Sequence, residues 1–419
     1  LNNINLQVDF NASTGSTGWI DYMVLHGQRT IGYWGNTGFG FDYQTTKPMD
    51  QLVEFEIQNA TTQTRVWDLS QYFQPVALPT QMGQNVNATF KVEDAAQKYF
   101  YAFEANKINS AQFSSVLLND SSFSASPVDY IIISAPDFLP AAKALQSFHE
   151  KQNGYKVGLF NATHVYNEMA SGQTSPIAIR NFIKYVYWNA SSADKRVKYV
   201  NLFGDASYDY KERIFNNTNI VPVFHGFNPF ASETNNISNF SLYSSFMSDD
   251  FFGLMDDDEG TMTGGFDGID IAVGRMLASS TSQALEMVDK VIDYYDEKSY
   301  GRWRNNYVIY SDDADNTTDA TLQFGLDNLA NVLTAQKPFV NVKKIHTDAY
   351  IQQVAAGGER YPEAKSDFLD ALAQGALVFN YFGHGNEEAL ARERLFEKLD
   401  AQNLTNRYRY PLFITITCE

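Results

Sequence analysis

The first 125 residues show the alternation of apolar and polar positions that is typical of half-buried β-strands. Segments 52–57 and 99–104 alternate most regularly, and four glycines between positions 32 and 40 interrupt an aromatic stretch as turns do. Those glycines do not lead from a strand into a helix, so they do not indicate a nucleotide-binding loop. We therefore predict that residues 1–125 form an all-β domain, either a sandwich or a barrel.

From residue 126 onward, continuous apolar runs alternate with amphipathic helical patterns. Apolar strands separated by helices are typical of a parallel sheet that is buried on both faces. The predicted strands are 130–134, 155–159, 199–203, 269–275, 307–310, 376–381 and 411–417. The predicted helices are 140–149, 176–188, 282–297, one ending near 335, 362–374 and a short one near 396–404. Because an irregular stretch separates two such series, we predict two α/β subdomains, at 126–265 and 266–419.

The composition is that of a globular protein, with 44% hydrophobic and 19% charged residues. The 31 basic and 49 acidic side chains give a net charge of −18, which argues against nucleic acid as a partner. No run approaches the roughly 18 apolar residues that a membrane helix needs. The chain starts at Leu1 without a leader and stops at Glu419, directly after an apolar run, so we expect it to be a fragment of an exported protein.

His384 and Cys418 follow two consecutive predicted strands, and Cys418 is the single cysteine. They are 34 positions apart (418 − 384), about one strand–helix–strand unit, so both are expected at the same edge of the sheet. An imidazole beside a thiol makes the thiolate available for attack on a carbonyl carbon. The backbone N–H groups of Gly385 and Cys418 are the predicted donors to the oxyanion. Taken singly, the cysteine is better explained by packing, and the Gly-His-Gly segment is explained by turn geometry; it is their combination at consecutive strand ends that indicates a site.

A third catalytic residue is expected to orient the imidazole through its other ring nitrogen. Asp312 and Asp313 follow the predicted strand 307–310 and are expected at the same edge of the sheet. We predict Asp313 for this role, with Asp312 as the alternative, because the spacing identifies the strand end but not the carboxylate that turns inward.

Segments 380–385 and 413–418 resemble the His and Cys strands of the gingipain family of cysteine peptidases. The resemblance covers residues from about 127 to 419 and implies a caspase-like catalytic domain of two α/β subdomains, preceded here by the all-β domain. It implies that Cys418 forms a thioester and that His384 acts as base and then as acid. Family members continue beyond the cysteine, so the resemblance also implies that part of the substrate cleft lies outside this chain. The further segments that carry the resemblance are 129–138, 178–180, 202–209 and 248–253.

Within that family, the N-terminal β-rich extension and segment 248–253 favour the cell-surface sortases of the type IX secretion system of Bacteroidetes. The resemblance then implies cleavage of the C-terminal sorting domain of exported cargo and transfer of the new carboxyl end to anionic lipopolysaccharide. It implies an outer membrane-associated location, with the shuttle protein PorV and other attachment-complex members as partners. A secreted gingipain-like endopeptidase and an inactive surface scaffold or binding module are the alternatives.

The densest acidic segment lies between positions 249 and 260, and a glycine closes it. Carboxylate oxygens in such a loop suit Ca²⁺, although the spacing is not that of an EF-hand and a solvated acidic turn explains it as well. Structural calcium is therefore the only metal that we predict, and no cofactor is expected for the chemistry. The predicted ligands are Asp249, Asp250, Asp256, Asp257, Asp258 and Glu259.

Overall fold

The computed structural model divides the chain into two compact units, residues 1–117 and 118–419, which are described separately. The ranges that the structure describes are 7–9, 20, 22–24, 27–34, 37–44, 52–83, 85–93, 97–110, 112–113, 116, 127–227, 245–262, 267–315, 319–355 and 358–417.

The N-terminal unit consists of antiparallel strands, as the alternating pattern predicts. β1, β7, β3 and β4 form one sheet in that order, and β2, β6 and β5 form another. Inward-facing side chains of both sheets share one core, in which the Phe55 ring stacks on Phe90 at 4.9 Å and meets Phe100 edge-on. The unit is therefore a small β-sandwich with an aromatic centre. Its strands are β1 (Gly38–Gln44), β2 (Val53–Ile57), β3 (Thr64–Asp68), β4 (Val76–Leu78), β5 (Gln81–Met82), β6 (Ala88–Val92) and β7 (Gln97–Glu104).

The first part of the second unit is a four-stranded parallel sheet with the order β13-β10-β8-β9. Its continuous apolar strands are buried by helices, and one core contains Ile132, Phe182 and Phe252. A two-stranded antiparallel hairpin, β11–β12, interrupts the series. The elements are β8 (Tyr130–Ser134), α1 (Leu139–Asn153), β9 (Val157–Asn161), α2 (Ala162–Ala170), α3 (Pro176–Trp188), β10 (Tyr199–Phe203), β11 (Phe224–Phe227), β12 (Ser245–Ser248), β13 (Ala272–Met276) and α4 (Thr281–Tyr295).

A second parallel sheet follows, with the order β15-β14-β18-β21. Leu326 of α5 packs against one face of this sheet, and Phe368 of α6 packs against Tyr310 and Phe379 on the other. The elements are β14 (Asn306–Ser311), α5 (Ala320–Gln336), β15 (Asn341–His346), β16 (Gln353–Ala355), β17 (Gly358–Arg360), α6 (Pro362–Gln374), β18 (Val378–Phe382), β19 (Ala389–Leu390), β20 (Phe396–Glu397), α7 (Lys398–Gln402) and β21 (Leu412–Ile416).

Two parallel sheets in tandem confirm the predicted class, but the predicted division at residue 265 does not separate them. β13 pairs along its length with β10 of the first sheet, and Ala284 and Val288 of α4 lie in the first core. The strand assigned to the second subdomain therefore belongs to the first sheet. An irregular insertion looks like a domain boundary in sequence, whereas strand pairing after the insertion decides which sheet the strand joins.

Local sequence signals identify the helix ends well. Ser175 caps α3 by accepting a hydrogen bond from the Ala178 N–H, and Pro176 occupies the first helical position. Gly375 ends α6 with a φ of 92°, a conformation that favours glycine. Among the described residues, no helix combines the length and the apolar character needed to cross a membrane.

Arg275 on β13 joins the hairpin insertion to the first sheet. Its guanidinium group donates to both carboxylate oxygens of Asp249 at 2.7 Å. It also donates to the backbone carbonyls of Gly204, Val221 and Pro222. The side chain is only 6% exposed, so these bonds form in a low-dielectric setting where a planar five-donor group is required.

We expect Arg275→Lys to lower the free energy of unfolding by about 2 kcal/mol, because an ammonium group cannot reach the paired carboxylate and three carbonyls together. Urea unfolding of the chain measures the change. Arg394→Lys is the matched control, since Arg394 forms an exposed ion pair with Glu397, and it should change stability by less than about 0.5 kcal/mol. Equal losses in both variants would contradict the structural role of Arg275.

Candidate active site

His384 lies just beyond the carboxyl end of β18, between two strands of the second sheet. Phe382 pairs with Ser311 of β14 on one side and with Ile416 of β21 on the other. The Gly383 N–H donates to the Ile416 carbonyl at 3.2 Å, which continues the ladder by one residue. The three strand ends therefore meet at the sheet edge where the sequence predicts the site.

Asp312 holds the backbone of His384 in place. One of its carboxylate oxygens accepts the His384 N–H at 2.9 Å, and the other accepts the N–H of Asp313 at 3.1 Å. The Tyr381 hydroxyl donates to the His384 carbonyl at 2.7 Å. The backbone of the histidine is thus bonded on both sides, whereas its side chain remains 55% exposed and available to a substrate.

Among the described residues, the carboxylate that forms an ion pair with the imidazole is that of Asp319. Its Oδ1 lies 3.6 Å from His384 Nε2, and Asp319 directly precedes α5. Asp313, which the sequence predicts for this role, instead accepts the Tyr361 hydroxyl at 3.0 Å, and Asp312 faces the histidine backbone. The structure therefore places Asp319 beside the ring, and the role of Asp313 stays a prediction. The strand end is as predicted, but the chain beyond it returns to the site at the start of α5.

Three buried acidic side chains lie together beside the histidine. Asp312 is 2% exposed, Asp313 8% and Glu393 2%, and one ligand oxygen from each lies within 4.8 Å of the others. Burial raises the pKa of Asp312 to about 7, and the neighbouring Asp313 and Glu393 act in the same direction. Burial also raises the pKa of Glu393. These three oxygens are the ones in the described part of the chain that are arranged to hold a metal ion.

Gly385 belongs to a tight turn that returns the chain over the histidine. It forms an isolated antiparallel bridge with Leu390, closed by bonds from the Ala391 N–H to the His384 carbonyl and from the Asn386 N–H to the Ala389 carbonyl. Within the described ranges, the Gly385 N–H itself donates to no acceptor. The use of the Gly385 N–H as an oxyanion donor stays a prediction, and this turn geometry is compatible with it.

Cys418, the predicted nucleophile and second oxyanion donor, lies outside the described residues. The strand that leads toward it is β21, and its last residue, Ile416, pairs with Phe382. His384 and Cys418 each follow one member of this pair by two positions in the sequence. The structure thus places His384, Asp312 and β21, the strand that leads to Cys418, at one edge of the second sheet.

The predicted calcium ligands of the acidic segment do not share one partner. Asp249 binds Arg275, and Asp257 binds Lys184 at 2.7 Å. Glu259 accepts the backbone N–H groups of Asp256 and Gly268. The guanidinium of Arg180 donates to carbonyls of the loop, at Leu254, Asp256 and Glu259. Cationic side chains therefore support this loop from within. Calcium binding by Asp250, Asp256 and Asp258 together with these residues stays a prediction.

Sequence reasoning missed Asp319, Tyr361 and Glu393. The position of Asp319 at the start of a helix carried a weak signal, because acidic residues favour helix N-termini. Glu393 lies in a charged stretch that reads as solvent-exposed, and Tyr361 precedes a helix with nothing to indicate a polar contact. Only the folded chain shows that they surround the end of β14.

Comparison with known proteins gives a match to one protein family. A family model described as peptidase family C25 matches residues 123–419, which is more than two thirds of the chain. No curated protein matches the sequence.

Solved structures with similar folds include dimeric latent PorU from Porphyromonas gingivalis, with 22% identity and a TM-score of 0.55. The match covers 65% of this chain but 26% of the PorU chain, so the chain spans about a quarter of that protein. A complex of Porphyromonas gingivalis RgpB pro- and mature domains matches with 18% identity and a TM-score of 0.45, over 69% of this chain and 55% of that one. The PorU match supports the predicted gingipain-type fold.

We expect Gly383→Ala to destabilise the site, because a Cβ at this position would lie 2.5 Å from the Asp312 Cβ and collide with the Tyr381 hydroxyl. The expected loss in free energy of unfolding is about 1–3 kcal/mol. Urea unfolding measures it, with Gly274→Ala as the control, since a Cβ at Gly274 would meet nothing within 4 Å. An unchanged unfolding midpoint for Gly383→Ala would show that no close approach exists there.

Proposed function

The chain belongs to peptidase family C25, and from that premise we propose that it is a gingipain-like cysteine peptidase with Cys418 as nucleophile and His384 as general base. The observation that carries the proposal is the pairing of β18 with β21. This pairing puts His384 beside the strand that leads to Cys418. Phe382 pairs with Ile416, and His384 and Cys418 each follow their member of that pair by two positions. Nucleophile and base on neighbouring strand ends are the arrangement that nucleophilic catalysis requires.

In the proposed reaction, the Cys418 thiolate attacks the scissile carbonyl carbon, and the resulting oxyanion accepts hydrogen bonds from the Gly385 and Cys418 N–H groups. The carbon–nitrogen bond then breaks, and the protonated His384 gives its proton to the leaving amine. A thioester to Cys418 remains. Water or an acceptor amine attacks the thioester carbon while His384 accepts the proton of that nucleophile. The carbon–sulfur bond then breaks, and the released Cys418 thiolate and the protonated His384 restore the starting pair.

Two aspartates support His384 in different ways in this proposal. The Asp319 carboxylate, 3.6 Å from Nε2, stabilises the imidazolium that forms when the thiol ionises. Asp312 fixes the backbone from which the ring projects. Asp319 therefore acts on the charge of the ring, and Asp312 acts on its position.

The finer assignment is to a sortase of the type IX secretion system, located at the cell surface and associated with the outer membrane. In this role, the enzyme removes the C-terminal sorting domain of exported cargo and transfers the new carboxyl end to anionic lipopolysaccharide, with PorV and attachment-complex proteins as partners. Support comes from the sequence motifs, from the separate β-sandwich unit that precedes the family match, and from the similarity in fold to PorU.

The alkylation rate of Cys418 by iodoacetamide, measured against pH, tests the pair directly, since Cys418 is the single thiol. We expect an inflection below about 8.5, the value of a free thiol, which His384→Ala should return to that value. Asp319→Asn should raise the inflection by up to about one unit, because it removes the negative charge beside the ring. Asp313→Asn should raise it less, since that carboxylate lies against Tyr361.

Asp315→Asn serves as the control for loss of one acidic charge at an exposed position of the same loop. A larger effect of Asp313→Asn than of Asp319→Asn would restore the sequence-based assignment. An ordinary thiol curve that His384→Ala does not change would overturn the proposed pair.

Cargo processing in cells tests the finer role. In the full-length protein, Cys418→Ala should abolish removal of the cargo sorting domain, and Cys418→Ser should lower its rate by at least about 10²-fold, because an alcohol is far less ionised than a thiol. Immunoblotting for cleaved cargo, with cargo attachment at the cell surface, provides the measurement.

Normal processing and attachment in Cys418→Ala would point to a scaffold without enzymatic function. Digestion of casein by the wild type, with cargo processing intact in Cys418→Ala, would instead favour a secreted endopeptidase. The two results separate the peptidase claim from the sortase claim.

A further inference from the structure

The cluster of Asp312, Asp313 and Glu393 has chemistry that the proposed reaction does not use. The two aspartates follow β14, and Glu393 lies in the turn between β19 and β20. One oxygen from each side chain lies within 4.8 Å of the others, and all three residues are more than nine-tenths buried. Parts of the chain about 80 residues apart thus bring three carboxyl groups to one enclosed point (393 − 313 = 80).

The hydrogen bonds that reach this cluster come from neutral groups. Asp312 accepts two backbone N–H groups, and Asp313 accepts the Tyr361 hydroxyl. Glu393 Oε1 is buried and has no hydrogen-bond partner. Within the described part of the chain, none of the three carboxylates forms an ion pair. A buried acceptor without a partner destabilises the folded chain, so a ligand at this oxygen would relieve that cost.

We propose that Asp312, Asp313 and Glu393 bind one divalent cation of the size of Ca²⁺ between the end of β14 and the turn that carries Glu393. Ca²⁺ takes oxygen ligands at about 2.3–2.6 Å, so oxygens on opposite sides of the ion lie up to about 5 Å apart. The smaller Mg²⁺ requires about 4.2 Å across and a regular octahedron. A spacing within 4.8 Å accommodates either ion, but the burial of all three side chains favours Ca²⁺, because Mg²⁺ usually retains several waters.

The acidic segment 249–260 provides the contrast. There, Asp249 and Asp257 already have cationic partners, and Glu259 accepts two N–H groups. The buried cluster has the opposite character, with three acids, neutral donors and one unused oxygen. A cation bound here would also tie the Glu393 turn to Asp312, which holds the His384 backbone. The inference does not depend on peptidase activity.

Terbium binding to the purified, metal-free chain tests the proposal, because Tyr361 touches the cluster and can transfer its excitation to a bound Tb³⁺ ion. We expect saturable emission on excitation of tyrosine, displaced by Ca²⁺. Glu393→Gln should weaken binding by at least roughly 10- to 100-fold. Asp257→Asn, in the acidic segment, is the matched control and should bind as the wild type does.

Two outcomes would overturn the site: no saturable emission from the wild type, or emission that Glu393→Gln leaves unchanged. Emission lost in Asp257→Asn and kept in Glu393→Gln would place the ion in the acidic segment and also refute the proposal. Circular dichroism checks that each variant folds. If Glu393→Gln does not fold, Asp313→Asn replaces it, since an asparagine oxygen still accepts the Tyr361 hydroxyl while the charge is lost.

Discussion

The hydrogen bond from the His384 N–H to the buried Asp312 carboxylate joins two neighbouring strands at the point where the site forms. It exists only because Gly383 lets the chain pass within contact distance of Asp312, where any Cβ would collide. The Gly383 N–H meanwhile continues the ladder to β21. This close contact between the backbone and Asp312 determines the position of His384. It also determines how the end of β18 lies beside the end of β21, the strand that leads to Cys418.

The surrounding core supplies the stiffness that such a passage needs. Tyr310, Phe368, Phe379 and Tyr381 pack beneath the strand ends with little exposure, and the Tyr381 hydroxyl reaches the His384 carbonyl. Aromatic side chains bury large areas in few rotamers, which favours a rigid support over an adaptable one. The imidazole above this layer remains half exposed, so rigidity of the backbone and access for a substrate coexist in one residue.

Buried charge is handled in two different ways in the α/β unit. In the first sheet, Arg275 and Arg180 place guanidinium groups against carbonyls and carboxylates of the long insertion. In the second, three carboxyl groups approach one another, and no described cationic side chain pairs with them. Guanidinium pairing stabilises a loop outright, whereas a cluster of acids requires a proton or a metal ion from solution. The state of the acidic cluster beside the site therefore depends on the protons and metal ions of the solution.

The sequence by itself determined the alternation of strands and helices in outline, the all-β N-terminal unit and the strand end that carries His384, but it did not predict α2 or β15. Those features follow from short-range physics: strands buried on both faces need continuous apolar runs, and Ser175 and Gly375 satisfy helix ends locally. Only the tertiary structure decided that β13 joins the first sheet, that Asp319 rather than Asp313 faces the imidazole, and that Glu393 is buried. These outcomes depend on pairing and packing between residues far apart in the chain, and local sequence patterns do not specify which distant residues will be in contact.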